Sequence, residues 1–396
     1  MTTPAFPSPS GIPSGHLSAP IQAAIQLALD EQRLVGAVVL VVHNGTVIHR
    51  QAAGWADRES RRPMTVDAIF RLASASKPIV SAAALVLVAQ GRLNLDDGID
   101  CWLPEFRPRT ADGRAARITV RQLLSHTAGL GYRFFETAAD GPYAQAGVSD
   151  GMDTSTLSLA ENLRRIAAVP LLYEPGTAWG YSLATDVLGA LIEKVHGAPL
   201  ESAVRQLVTG PLGMADTCFV AQDAQRVATA YVSDTPRPHP LTEGETVSPF
   251  EGAVGIVYSP ERIFDPKAFP SGGAGMAATA EDFMRLLEAL RQDSPLLPRG
   301  LIAEMGRDQT GGQDLPNVPG FGFGLGFSVM RDPTLAASPE SEGTWRWGGA
   351  YGHSWFVDCK RGLSVVAFTN TLYEGMSGRF VTDLRDAVYT ALEAGR

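Results

Sequence analysis

The sequence predicts an α/β protein in which an antiparallel sheet, flanked by terminal helices, stands beside a mainly helical lobe. Three observations predict it. Runs rich in β-branched and aromatic residues are confined to the two ends of the chain. A helical pattern opens and closes the sequence. Between about Leu72 and Leu290, helical stretches alternate with Gly- and Pro-rich loops, and strand signals are few and short. The economical architecture joins both ends in one sheet and sets the helical middle against it, leaving a cleft between them as the natural substrate site. The expected divisions are a flexible arm over 1–15, an α/β domain over 16–73 and 291–396, and a helical domain over 74–290.

The elements follow in order. "MTTPAFPSPSGIPSGHLSAP" is rich in Pro, Ser and Gly and has no basic segment ahead of an apolar run, so it reads as a loose arm and not a secretory signal. "APIQAAIQLALDEQRLV" reads as a helix with Ser18 as cap and Pro20 in its first turn. In "GAVVLVVHNGTVIHRQAAGWAD", Asn44-Gly45 between two β-rich runs is a strong hairpin signal. The longest apolar run, "IVSAAALVLVA" (79–89), is shorter than the roughly 20 residues a membrane span needs and reads as a buried helix. In the middle, "TVRQLLSH", "SLAENLRRIAAV", "LATDVLGALIEKVHG", "LESAVRQLV" and "TAEDFMRLLEALRQD" read as helices. Then "GFGFGLGFSVM", "GTWRWGGAYGHSWFVDC" and "GLSVVAFTN" read as sequential strands, and "SGRFVTDLRDAVYTALEA" as a closing helix. The glycines of "GFGFGLGF" alternate as in a strand and precede no helix, so they are not a nucleotide loop.

Composition narrows the function. Apolar residues make up 45% of 396 and charged residues 19%, enough for a sizeable core. The net charge of −9 and the lack of a long Lys/Arg run offer nothing to a phosphate backbone, which excludes nucleic acid as a partner. Cys101, Cys218 and Cys359 are odd in number and far apart, so neither a disulfide framework nor a zinc site is indicated; they read as reduced packing thiols. No His-x-x-x-His pair or carboxylate cluster suggests a metal, and no cofactor is expected. A cytoplasmic enzyme of small molecules, away from membranes, is the expectation.

Two serines compete for the nucleophile. "GVSDG" (147–151) fits the Gly-x-Ser-x-Gly elbow around Ser149. That elbow needs a strand leading into it, and "ETAADGPYAQA" supplies none, so Ser149 reads as a surface turn. "SASK" (74–77) fits Ser-x-x-Lys. An apolar segment leads into Ser74 and a helix follows, so Lys77 lies one turn above the hydroxyl. A helix N-terminus also favours developing negative charge. Tyr181, after a Pro-Gly turn and before a long helix, is a candidate general base whose anion a neighbouring ammonium would favour. Trp347 precedes Gly348-Gly349, which let a backbone approach a ligand closely. The N–H of Ala350 then joins that of Ser74 as an oxyanion hole.

These stretches, with "LLSHTAGL" (123–130), "PGTAWGYS", "PLGMADT" and "PSGGAGM", resemble serine β-lactamases and penicillin-binding proteins, in particular the class C type. Within them the chain is most similar to family VIII carboxylesterases, from about residue 16 to the end. The resemblance implies a β-lactamase/penicillin-binding-protein-like fold, Ser74 as the acylated nucleophile, Lys77 as the tuner of its proton transfer, and Tyr181 as the base that later activates water. It also implies hydrolysis of short-chain acyl esters and deacetylation of cephalosporin-type esters. Two departures matter. Leu183 stands where β-lactamases have the Asn of Tyr-x-Asn, and Trp347 where they have the Lys of Lys-Thr-Gly. Both replacements are apolar and suit a neutral small-molecule ester better than a carboxylate-bearing lactam or peptide. A β-lactamase or D-Ala-D-Ala peptidase, and an acyltransferase using the same acyl-enzyme, are the alternatives. Tyr132 and Phe134, with Phe135, are candidate pocket walls and His353 a candidate cleft residue. His126 is expected to secure a loop, and His43 and His49 to face solvent.

Overall fold

A computed structural model of the chain describes residues 15–292 and 295–394; the arm expected over 1–15 lies outside them apart from Gly15. Strand β1 (Gly36–His43) turns into β2 (Thr46–Asp57) through Asn44 and Gly45, at φ 50° and 79°. Both are left-handed, as a two-residue type I′ turn requires. A short β3 (Arg62–Pro63) follows, and the C-terminal part adds β4 (Phe321–Phe323), β5 (Ser328–Met330), β6 (Trp345–Gly349), β7 (His353–Asp358) and β8 (Leu363–Thr369). All eight form one antiparallel sheet in the order β4-β5-β6-β7-β8-β1-β2-β3. The two ends of the chain meet where β1 pairs with β8, from Ala37 opposite Thr369 to His43 opposite Leu363.

The apolar run of β1 is continuous because both of its faces are covered. Ala37, Val39 and Val41 pack with Ile21 and Ile25 of α1 (Gly15–Asp30) and with Phe380, Leu384 and Val388 of α5 (Arg379–Ala394). Val38, Leu40 and Val42 point the other way, into the larger core shared with the helical lobe. At the centre of that lobe is α2 (Lys77–Ala89), buried at every position from Lys77 to Leu87. It packs against α3 (Ala184–His196), while α4 (Ala280–Arg291) packs on β8. Among the described residues, no helix is long and apolar enough to cross a membrane.

Several expectations need correction. Helix α1 includes Pro20 within it, and Ser18 is not its cap; the Ser18 hydroxyl instead lies 3.3 Å from His49 Nδ1. His49 is therefore buried and not solvent-facing. "GFGFGLGFSVM" is two strands, because Gly326 at φ 111° breaks the run between β4 and β5. An antiparallel ribbon of Ile69–Arg71 with Ala277–Thr279, absent from the sequence reading, leads directly into the Ser74 segment. Of the three free cysteines, Cys101 and Cys359 are exposed and only Cys218 is partly buried, so a packing role is left to Cys218 alone.

Candidate active site

Ala73, the residue before Ser74, adopts φ 44°. A left-handed backbone costs a non-glycine residue about 1–3 kcal/mol and persists only where its surroundings enforce it. Here it swings the chain out of the Ile69–Arg71 ribbon into a 3₁₀ turn, Ala73–Ser76, from which α2 continues. Ser74 thus sits in a 3₁₀ turn just ahead of the α-helix, which begins at Lys77. Lys77 Nζ lies 3.3 Å from Ser74 Oγ and donates to the Gly273 carbonyl at 2.8 Å. From the far side, the Tyr181 hydroxyl donates to Ser74 Oγ at 2.6 Å. The three residues singled out from the sequence converge on one oxygen.

Tyr181 is held from below. The Ser182 N–H donates to His126 Nδ1 at 3.3 Å, and the Gly180 N–H donates to the His126 carbonyl at 2.9 Å. Burial, reinforced by the Lys77 charge, pushes His126 well below its ordinary pKa, so its ring is a neutral acceptor. His126 has the loop-securing part expected of it. Around the phenol, ring centroids lie at 4.9 Å (His126), 5.2 Å (Trp347) and 5.3 Å (Tyr132), an aromatic enclosure on three sides. Tyr132 and Phe134 stack at 4.4 Å but are almost wholly buried, so they back the wall. The exposed members are Phe135 and Phe250, stacked at 5.8 Å. Phe250 was not recognised from sequence; it comes from a polar loop that carries no periodic signal.

Strand β6 ends beside the nucleophile. A Cβ at Gly349 would overlap the Leu72 carbonyl, and one at Gly348 the His353 carbonyl at 2.5 Å. The glycines therefore serve a close approach of strand to protein backbone, with Gly349 abutting the residue that precedes Ala73. This brings Ala350 alongside the Ser74 turn. Trp347 stands on β6 against Tyr181, half-buried.

The electrostatics differ from the sequence expectation. Tyr181 is not eased toward its anion; burial raises its pKa, opposed by interactions with Ser74 and the Trp347 indole. Burial pushes Lys77 down to about 7, against the pull of Asp186 and then Asp150. Neither carboxylate was singled out from sequence. Asp186 is fully buried on α3; its Oδ1 accepts from the Ser271 hydroxyl at 2.6 Å and its Oδ2 has no partner. Burial also raises Asp150 to about 7. The resting site is a neutral phenol beside a lysine poised to lose its proton near neutrality.

Three further placements are corrections. His353 does not line the cleft: it is fully buried, its Nε2–H donates to the Arg71 carbonyl at 2.7 Å, and its ring lies against Phe70 and Phe368. Both faces of β7 are covered, so alternation alone could not tell cleft from core. Leu183 is also fully buried at the start of α3 and offers no surface to a ligand. Ser149 is buried, not on a surface turn; its hydroxyl donates to Asp153 Oδ1 at 2.6 Å and accepts from the Gly151 N–H at 3.1 Å. It pins a loop.

The chain is similar to known proteins over nearly its whole length. The family model described as Beta-lactamase matches residues 21–390. Esterase EstB of Burkholderia gladioli is 48% identical over 384 residues, 97% of this chain and 98% of that protein. The solved structure of EstCE1, described as a hydrolase with promiscuous acyltransferase activity, superimposes with a TM-score of 0.94 at 45% identity, covering 96% of this chain and 100% of that one. An octameric penicillin-binding protein homologue from Pyrococcus abyssi shares the fold at a TM-score of 0.72 and 20% identity, covering 97% of this chain and 78% of that one.

Proposed function

The chain belongs to the beta-lactamase family, and from that membership and the geometry around Ser74 we infer that it is a serine carboxylesterase acting on short-chain acyl esters through an acyl-enzyme. The observation that carries the reading is the meeting of Lys77 Nζ and the Tyr181 hydroxyl on Ser74 Oγ, at 3.3 and 2.6 Å, inside an aromatic enclosure. With Lys77 neutral, its lone pair accepts the Ser74 proton as Oγ attacks the ester carbonyl. The N–H groups of Ser74 and Ala350 hold the oxyanion. Tyr181, kept protonated by burial, gives its proton to the departing alcohol and regains one from the Lys77 ammonium. Water then enters along the same route in reverse and frees the acid. Lys77 is thus the resting proton acceptor and Tyr181 the carrier, a division of labour that follows from their opposite pKa shifts.

The substrate class follows from charge. Trp347, packed against Tyr181 and Phe323, puts an indole where a lactam or peptide carboxylate would need a cation, so neutral esters are preferred. A cephalosporin bearing an acetyl ester would lose the acetyl group while its lactam ring stays closed. The same acyl-enzyme can pass its acyl group to an added alcohol in place of water; EstCE1 is itself described as a hydrolase with promiscuous acyltransferase activity. A cytoplasmic location is part of the proposal, supported by three free cysteines of which two are exposed. The decisive experiment pairs two variants on p-nitrophenyl butyrate: Ser74→Ala abolishes hydrolysis and Ser149→Ala retains it. The reverse outcome, or rapid opening of nitrocefin by a protein that spares esters, overturns the reading.

A further inference from the structure

Behind the Ala350 segment lies a second, small cavity of about 20 Å³, and roughly 10–15 Å³ is room for one water-sized occupant. Its walls include Arg71, Arg262, Tyr351 and Ser259. The Arg71 Nε and Nη1 groups donate to the carbonyls of Pro260 and Ala228, both at 2.8 Å. Arg262, only 9% exposed, donates from Nη1 to the Asp153 carbonyl at 3.0 Å and from Nη2 to the Phe269 carbonyl at 2.8 Å. All of these partners are neutral. Among the described residues, neither guanidinium lies within ion-pair distance of a carboxylate; Glu243 and Glu261 act on Arg71, and Asp153, Asp186 and Asp265 on Arg262, only at longer range.

Arg71 is partly and Arg262 almost wholly buried, each with a neutral ring over its guanidinium (Phe264 at 5.6 Å, Phe269 at 4.6 Å), so two cations meet one small cavity with no carboxylate in contact, a costly arrangement. Burial lowers the pKa of both, yet an arginine does not give up its proton in a protein. Tyr351 does not neutralise them as a phenolate, because burial raises it to about 12. It remains a neutral hydroxyl in the same wall as both arginines. Ser259 Oγ accepts from the backbone N–H of Arg262 at 3.1 Å, as a helix cap, and keeps its own proton to donate. The arrangement has donors and positive charge but no contacting acceptor of negative charge.

We propose that this cavity binds a single halide-sized monovalent anion between Arg71 and Arg262, capped by the Tyr351 and Ser259 hydroxyls. The site goes beyond the esterase reading and does not depend on it. Its place in the fold gives it reach. Arg71 lies three residues ahead of Ser74, and its carbonyl is the partner of His353 Nε2 at 2.7 Å. Tyr351 directly follows Ala350. Gly275, also in the wall, lies two residues beyond Gly273, whose carbonyl takes the Lys77 N–H. One anion therefore ties together the segments bearing the nucleophile, the oxyanion N–H and the lysine's acceptor.

Bromide is the probe. The full-length protein is unfolded thermally at constant ionic strength as sodium bromide replaces sodium gluconate, and wild-type crystals soaked in bromide are examined for anomalous scattering. The expected result is a saturable rise in Tm that Arg262→Gln and Arg71→Gln remove, with an anomalous peak between the two arginines. Bromide peaks elsewhere with none in the cavity, or a Tm that follows ionic strength alone, overturn the proposal. The wild-type crystal decides should either variant fail to fold.

Discussion

At the level of single residues, the site turns on which group holds a proton at neutral pH. Lys77 is held near 7 by burial, whereas Tyr181 is pushed above its ordinary value. Below that lysine pKa, Nζ is an ammonium and cannot accept the Ser74 proton; above it, the amine can. The kcat/KM for p-nitrophenyl butyrate should therefore rise with pH through an apparent pKa near 7 and then level off, which a stopped-assay pH profile measures. Lys77→Arg, permanently charged, should lose the rise and most of the activity. Tyr181→Phe removes the proton carrier and should lower kcat by roughly 10²–10⁴ with little change in KM. Ser74 and Lys77 were legible because local spacing and helix geometry carry their relationship; Tyr181, 107 residues on, was legible from its turn-to-helix setting and from the resemblance to serine β-lactamases. Asp186 and Asp150 were not, because only the packing of α3 and the 147–151 loop beneath Lys77 gives them their electrostatic role. The same limit hid the raised Tyr181 pKa: a sequence shows neighbours in the chain, not the depth at which they are buried.

At the level of elements, close approaches of backbone decide what the site can do. Gly349 is where β6 meets the Leu72 carbonyl. Gly349→Ala should push the strand away from the Ser74 turn, displace the Ala350 N–H and lower kcat by about 10²–10³, the usual cost of an oxyanion donor. Burst kinetics would show slower acylation with an intact nucleophile. The Phe250 loop acts differently. Phe250 is 53% exposed and stacks on Phe135, whose ring lies 6.2 Å from Tyr181. An aromatic pair is worth about 0.5–1.5 kcal/mol, so Phe250→Ala should raise KM for aryl esters by roughly 2–12-fold and leave kcat and alkyl esters nearly unchanged. The hairpin at Asn44-Gly45 was readable because its turn demands those residues. The Ile69–Arg71 ribbon was not, since its partner lies more than two hundred positions away and each strand is only three residues long.

For the whole molecule, the meeting of the chain ends in one sheet was readable from where the β-rich runs fall, and β1 does pair with β8. Which face of each strand looks at the cleft was not, because the terminal helices cover one side and the lobe the other; His353 was misplaced for that reason. The closing helix should matter accordingly. Phe380 on α5 is fully buried against β1 and β8, so Phe380→Ala should cost about 3–5 kcal/mol in urea unfolding, while kcat in the folded protein at low temperature stays close to that of the parent. The β1–β8 pairing also sets an order of events at the ribosome. The nascent chain carries Ser74 long before it carries Ala350, and β1 must wait for residues 363–369 before its second edge is matched. Contacts spanning so much sequence form slowly. An unfinished polypeptide therefore has its nucleophile but no oxyanion hole, and esterase activity should switch on only with the release of nearly complete chains.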